Sequence, residues 1–219
     1  MFNSGIKVKD LVAELKNTEV DIALYIPNLT YVTWLNALQQ LLYREVIKEQ
    51  RKWVFSSPFQ NPISILSIKP QTGENQPIFE DIHAVYADKC QLIKSTLASG
   101  VIFPNTYFKD NNDIGYSIQA EPDNITIVYP DNITIVYYVR PAIIEVSDVY
   151  DEATNDYLID DSNVMIPIEF IDLVKSKLRG EAYKLVNEDG IAAKWLNDYN
   201  THLETFKAWI IEKYSTFGL

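Results

Sequence analysis

The chain of 219 residues reads as an α+β protein. A helical bundle built from N-terminal helices and a long C-terminal helical hairpin is interrupted by a mostly antiparallel β region. Three observations predict this. Apolar residues recur at helical spacing toward both ends, and short alternating runs rich in Ile, Val, Thr and Tyr fill the middle. At the centre, PDNITIVY occurs twice in succession, at 122–129 and again at 130–137. Between the copies, Pro130-Asp131-Asn132 suits a three-residue hairpin loop, because proline presets φ and asparagine accepts the left-handed conformation. Such a loop pairs Tyr129 with Ile133, Ile127 with Ile135 and Ile125 with Tyr137. All six then share one face, and burial of that face sets the register.

Taken in order, residues 6–16 predict a short amphipathic helix with Val8, Leu11, Val12 and Leu15 on one stripe. Residues 30–50 predict a stronger one. Tyr31, Trp34, Leu35, Leu38, Leu41, Leu42 and Val46 face a core, with Asn36, Gln40, Arg44 and Lys48 on the opposite side. From 52 to 96 the pattern turns to strands, among them ISILSI (63–68) and IFEDIHAVYADKCQLI (78–93), and 113–119 predicts one more. Residues 145–163 are rich in Asp and Glu and hold no Lys or Arg, which reads as a solvated acidic connector. Pro167 then suits the first turn of a helix striped by Ile171, Val174, Leu178, Ala182 and Leu185. Asn187 reads as the N-cap of a second helix, whose stripe is Ile191, Trp195, Tyr199, Leu203, Phe206 and Ile210. The divisions are therefore 1–51 (bundle), 52–144 (β region, with the hairpin at 122–141), 145–166 (acidic connector) and 167–219 (helical hairpin and tail), in one compact unit.

Composition narrows the function. With 19 Lys and Arg against 30 Asp and Glu the net charge is −11, which argues against a reader of nucleic-acid sequence, since phosphate contact needs clustered cations. Cys90 is the only cysteine, so no intrachain disulfide forms and a reducing cytosol is expected. No signal-peptide apolar core and no run of 18 apolar residues is present, predicting a chain with no membrane span. Asn-x-Thr triplets at Asn28, Asn124 and Asn132 read as turn and strand chemistry.

Catalytic chemistry has few candidates. His83 and His202 stand beside no nucleophile motif, and no phosphate-binding glycine loop or Cys/His cluster occurs. Asp110, Asn112, Gly115 and Glu121 match part of a calcium loop. Ile114, however, occupies a ligand position and the flanks read as strands, so a polar β-turn is the better reading. No catalytic, cofactor or metal residue is assigned. Tyr86, Tyr107, Phe108 and Tyr116 could form an aromatic platform in a small-ligand or carbohydrate-binding module, an alternative of another class. A carboxylate enzyme site in the acidic segment is a third. The chain's last residues, WIIEKYSTFGL, keep an apolar excess. Trp209, Ile210, Tyr214 and Phe217 are expected to meet another subunit, with intramolecular core as the alternative.

The order of these pieces resembles one family. YVTWLNALQQLLYREVI precedes the strands, IFEDIHAVYADKCQL follows, and a paired-strand stretch ends ITIVYYVRPAII. IPIEFIDLVKSKLRGEAYKLVNEDGIAAKWLNDYNTHLETF comes last. This succession, over roughly residues 6–212, resembles the head-to-tail connector (adaptor, or ring) proteins of tailed bacteriophages. The PDNITIVY duplication and the long acidic segment depart from the pattern. The resemblance implies a non-enzymatic virion protein, made in the bacterial host cytoplasm. It implies a ring, usually dodecameric, that docks beneath the portal protein, extends the DNA channel and receives the tail or further ring proteins. DNA would pass the lumen without sequence-specific binding, helped by acids that repel phosphate. In this frame Trp209, Ile210, Tyr214 and Phe217 meet the portal or a neighbouring copy, and Pro130, Asp131 and Asn132 face the tail or the next ring.

Overall fold

The computed structural model describes residues 4–19, 22, 26–47, 52–58, 63–64, 78–88, 90–94, 106–110, 113–117, 131–152 and 154–215. Where the apolar stripes predict helices, helices form: α1 (Val8–Thr18), α2 (Asn28–Glu45), α3 (Ile171–Leu185, entered through a 3-10 turn at Ile168–Phe170) and α4 (Asp189–Ser215). Their stripes close one core around Val8, Leu11, Leu15, Leu35, Leu42, Leu173, Val174, Leu178 and Phe206. The α+β class with a packed C-terminal helical hairpin is thus observed. The chain divides, however, into two compact units with separate cores where one was expected. The first comprises 1–50 and 141–219, the second 51–140.

In the α3–α4 hairpin, Gly180 permits close approach, since a Cβ there would lie 2.7 Å from Leu196 Cγ. The turn corrects the role of Asn187. With φ of 62° it stands in the left-handed region, whereas an N-cap residue is extended. Its N–H donates to the Lys184 carbonyl at 3.1 Å and that of Glu188 to the Tyr183 carbonyl at 2.9 Å. This paired pattern, with asparagine in the usual glycine position, ends α3. The N–H groups of Ile191 and Ala192 then turn back to Glu188, so Glu188 opens α4.

The polar side of α2 also differs from expectation. Asn36 and Gln40 do not simply face water. The Asn36 carboxamide donates to the Ile144 carbonyl at 2.8 Å and accepts from the Ile144 N–H at 3.0 Å, and Gln40 donates to the Pro141 carbonyl at 3.2 Å. Gln39, fully buried, accepts from the Met165 N–H at 2.6 Å. Extended chain crossing a helix has no ladder of its own, so side chains must satisfy its backbone. These contacts place 141–144 with the helical unit and not with the β region. Residues 4–8 run alongside 162–164, with Ser4 N–H on Val164 O, Val164 N–H on Ile6 O and Val8 N–H on Ser162 O.

The acidic segment is a second correction. It forms a two-stranded antiparallel ribbon, β8 (Val146–Asp151) and β9 (Asp156–Ile159), packed on α1 and α2. Val146 and Ile159 anchor it on the helical core.

The β unit is a seven-stranded sheet. Its strands are β1 (Lys52–Pro58), β2 (Ile63–Ser64), β3 (Ile78–Ala87), β4 (Cys90–Lys94), β5 (Thr106–Asp110), β6 (Asp113–Ser117) and β7 (Asn132–Arg140). The order is β1-β7-β3-β4-β5-β6-β2, antiparallel except where β4 meets β5. The second repeat copy supplies most of β7, and Ile133, Ile135, Tyr137 and Val139 are buried on one face as alternation predicts. Its partners differ from those expected. β1 pairs along 132–138 on one edge and β3 along 133–140 on the other. With both edges taken, the register joining Ile133, Ile135 and Tyr137 to residues 129, 127 and 125 has no edge to form on. Residues 122–129 and Pro130 lie outside the described residues.

Two substitutions test these devices by chemical denaturation. Asn36→Ala, which strands both backbone groups of buried Ile144, should cost about 2 kcal/mol. At Asn187, alanine should cost about 1 kcal/mol through its left-handed penalty, whereas glycine should be neutral or stabilising.

Candidate functional site

A groove of about 820 Å³ opens between the ribbon, α1 and the start of α2. Its frame is built on Asp156. Helix α2 begins after Pro27, which cannot cap it, and no side chain of its own N-cap bonds its first turn. Asp156 does so from a distance in sequence. Its Oδ2 accepts from the Asn28 N–H and from Lys16 Nζ, each at 2.8 Å, and its Oδ1 from the Tyr157 N–H at 2.8 Å. A carboxylate here also meets the positive end of the helix dipole. Burial pushes the Asp156 carboxyl up. The hydrogen bonds from Lys16, Asn28 and Tyr157, with the Lys16 charge, outweigh burial and hold it below its ordinary value. Asn28 adds a second tie, donating from Nδ2 to the Tyr157 carbonyl at 2.8 Å.

The ribbon's tip is equally braced. Tyr150 and Tyr157 lie opposite one another in the register, with ring centroids 5.3 Å apart and planes at 78°. Tyr150 donates its hydroxyl proton to Asn155 Oδ1 at 2.6 Å, and Thr154 Oγ1 donates to Asp151 Oδ2 at 2.9 Å. Asn155 takes the left-handed turn position at φ 53°. Asp161 binds Lys7 at 2.9 Å and Lys9 at 3.0 Å, and hydrogen bonds from these two lysines lower its pKa. On the other side of α1, Lys175 pairs with Glu14, while Arg179 and Tyr183 both bind Glu19.

Residues singled out in the sequence lie elsewhere. Ile210 is buried in the helical core, and Trp209 is half-buried, 5.2 Å from the Phe170 ring. Both make intramolecular contacts, packing with Phe170 and Phe206 in the helical core. The Tyr214 side chain and Phe217 lie outside the described residues, as does Pro130. Asp131 is exposed, and Asn132 is tied at the start of β7, donating its N–H to Asp88 Oδ1 at 3.1 Å. Of the four aromatic residues considered for a platform, Tyr107 is buried in the sheet core and Tyr86 is half-buried. Phe108 and Tyr116 side chains are outside the described residues. Asp110 and Asp113 face each other at the end of the β5–β6 hairpin with Ile114 buried, so β5 leads into the calcium-like pattern and β6 runs through it. His83 Nδ1 lies 3.0 Å from the Tyr138 hydroxyl, and His202 is half-buried on α4. Among the described residues no group of three or more His, Cys, Asp or Glu is placed to hold a metal ion, and no helix is long and apolar enough to cross a membrane. The Asp156 constellation leaves no local signal in the sequence, because its partners lie 128 and 140 residues away.

Asp156→Asn should lower stability at neutral pH by about 1–2 kcal/mol. A carboxyl depressed in the folded state stabilises above its unfolded pKa and loses that contribution as pH falls through the folded one. The difference between wild type and variant should therefore shrink on acidification below about pH 4, as thermal melts across pH would record. No protein-family model matches this chain, and no curated protein matches it.

Proposed function

We propose that this chain is a structural virion subunit, a head-to-tail adaptor. Copies of it close a ring beneath a portal protein, lengthen the DNA channel and receive the tail. One observation carries the reading beyond the order of sequence features. Of twelve large apolar side chains left exposed among the described residues, five fall between 143 and 158: Ile143, Val149, Tyr150, Tyr157 and Leu158. Tyr150, Tyr157 and Leu158 line the groove, whereas Ile143 and Val149 lie outside it, and uncovered apolar surface of that kind is suited to being covered by another chain. Ring closure needs two unlike faces on each copy. The ribbon packs on α1 and α2 whereas α4 packs on α3, which supports two such surfaces within the helical unit. Ile143 and Val149 do not line the groove and are the contact residues of choice.

Glu145, Asp148, Glu152 and Asp160 are exposed and enter no ion pair among the described residues. Repeated around a ring, such carboxylates favour passage of DNA over adhesion.

The test is co-expression with the portal protein of the same genome, followed by light scattering and negative-stain imaging. Rings of this chain on the portal are expected. Val149→Asp should abolish them while shifting monomer stability by no more than about 0.5 kcal/mol. A chain that neither binds the portal nor forms rings removes the reading.

A further inference from the structure

We infer that the groove between the ribbon and α1 is a binding site for a neutral oligosaccharide. The groove's size falls within the range of small-ligand sites, about 300–1,000 Å³. Its walls are locked before any ligand arrives. Asp156 ties the ribbon to Lys16 on α1 and to Asn28 on α2, and Asn28 returns a bond to the Tyr157 carbonyl. A preformed site loses little ordering entropy on binding.

Charge selects against ionic ligands. The groove is lined by two cations, Lys9 and Lys16, and two carboxylates, Asp151 and Asp156, so its formal charges cancel. Lys16 is committed to Asp156 at 2.8 Å and Lys9 to Asp161 at 3.0 Å. An anion would have to compete with these carboxylates for either cation. What the lining offers instead is carboxamide and hydroxyl chemistry. The Asn17 side chain is exposed and has no hydrogen-bond partner among the described residues. Asn155 spends its Oδ1 on Tyr150 and keeps its amide donors, while Asn28 spends Nδ2 and keeps its side-chain carbonyl. Asn17 thus presents a donor and an acceptor side by side, which matches adjacent hydroxyls of a sugar ring, while Asn155 adds donors and Asn28 an acceptor.

The aromatic pair supplies the other half of sugar recognition. Tyr150 and Tyr157 line the groove, are 47% and 49% exposed, and hold each other edge-to-face. A ring fixed in this way gives a flat apolar surface for the C–H face of a pyranose, at little entropic cost. Ile143 and Val149 do not line the groove, so the two surfaces can be probed separately.

The full-length chain would be titrated with maltotriose, cellotriose and triacetylchitotriose by calorimetry, with a sulfated heparin hexasaccharide as the charged comparison. Binding of at least one neutral trisaccharide is expected, with the heparin fragment failing to compete. Tyr150→Ala should weaken that binding about tenfold or more. Asn17→Ala, at a side chain with no internal partner, should weaken it without changing the melting temperature, so a folding defect in the tyrosine variant cannot decide the matter. Failure of all three trisaccharides at millimolar concentration overturns the assignment. So does binding unchanged in both variants, or preference for the heparin fragment. None of these results bears on ring formation, which Val149→Asp reports independently.

Discussion

Buried extended backbone must find hydrogen-bond partners, and in the helical unit α2 provides them. Asn36, Gln39 and Gln40 hold 141–144 and 165 by their main-chain groups, and Asp156 holds the first turn of α2 in return. Without these ties, the segments that return from residue 140 toward α3 would bring unpaired N–H and C=O groups against an apolar core. The first and last parts of the sequence form one unit because this helix is decorated with amides where a solvent-facing helix carries charges.

What could be read from the sequence follows the same physics. Stripes such as Leu11 with Leu15 on α1, and Val174 with Leu178 on α3, report burial directly, and the helices appear within a few residues of their expected limits. Alternation in the repeat likewise reports which face of β7 is buried. Partnership does not show in periodicity. Asn36 looks like a solvated residue until Ile144 lies across it, and Asn187 looks like an N-cap because the same residue type serves both ends of a turn. The ribbon was hidden because its carboxylates break the apolar alternation, while only Val146 and Ile159 are needed to seat it.

The groove shows that composition does not reveal which aromatic residues line a cleft. Its aromatic residues were the least conspicuous of the chain's 14 tyrosines, lying in a stretch dominated by acids. Tyr107 belonged to the more obvious aromatic run and was claimed by the sheet core, where burial raises its pKa, with the Asp81 charge as a smaller contribution.

The duplicated octapeptide has a consequence for frame selection. Two identical segments compete in principle for the place between β1 and β3, and nothing inside the repeat distinguishes them. A slip of eight residues would bring Pro130, Asp131 and Asn132 to the places of Tyr138, Val139 and Arg140. Val139 is fully enclosed there, and a carboxylate in its stead would be desolvated at a cost of several kcal/mol, beside a proline with no N–H to give. The tripeptide downstream of the repeat therefore acts as its punctuation, and decides which copy is read as the strand.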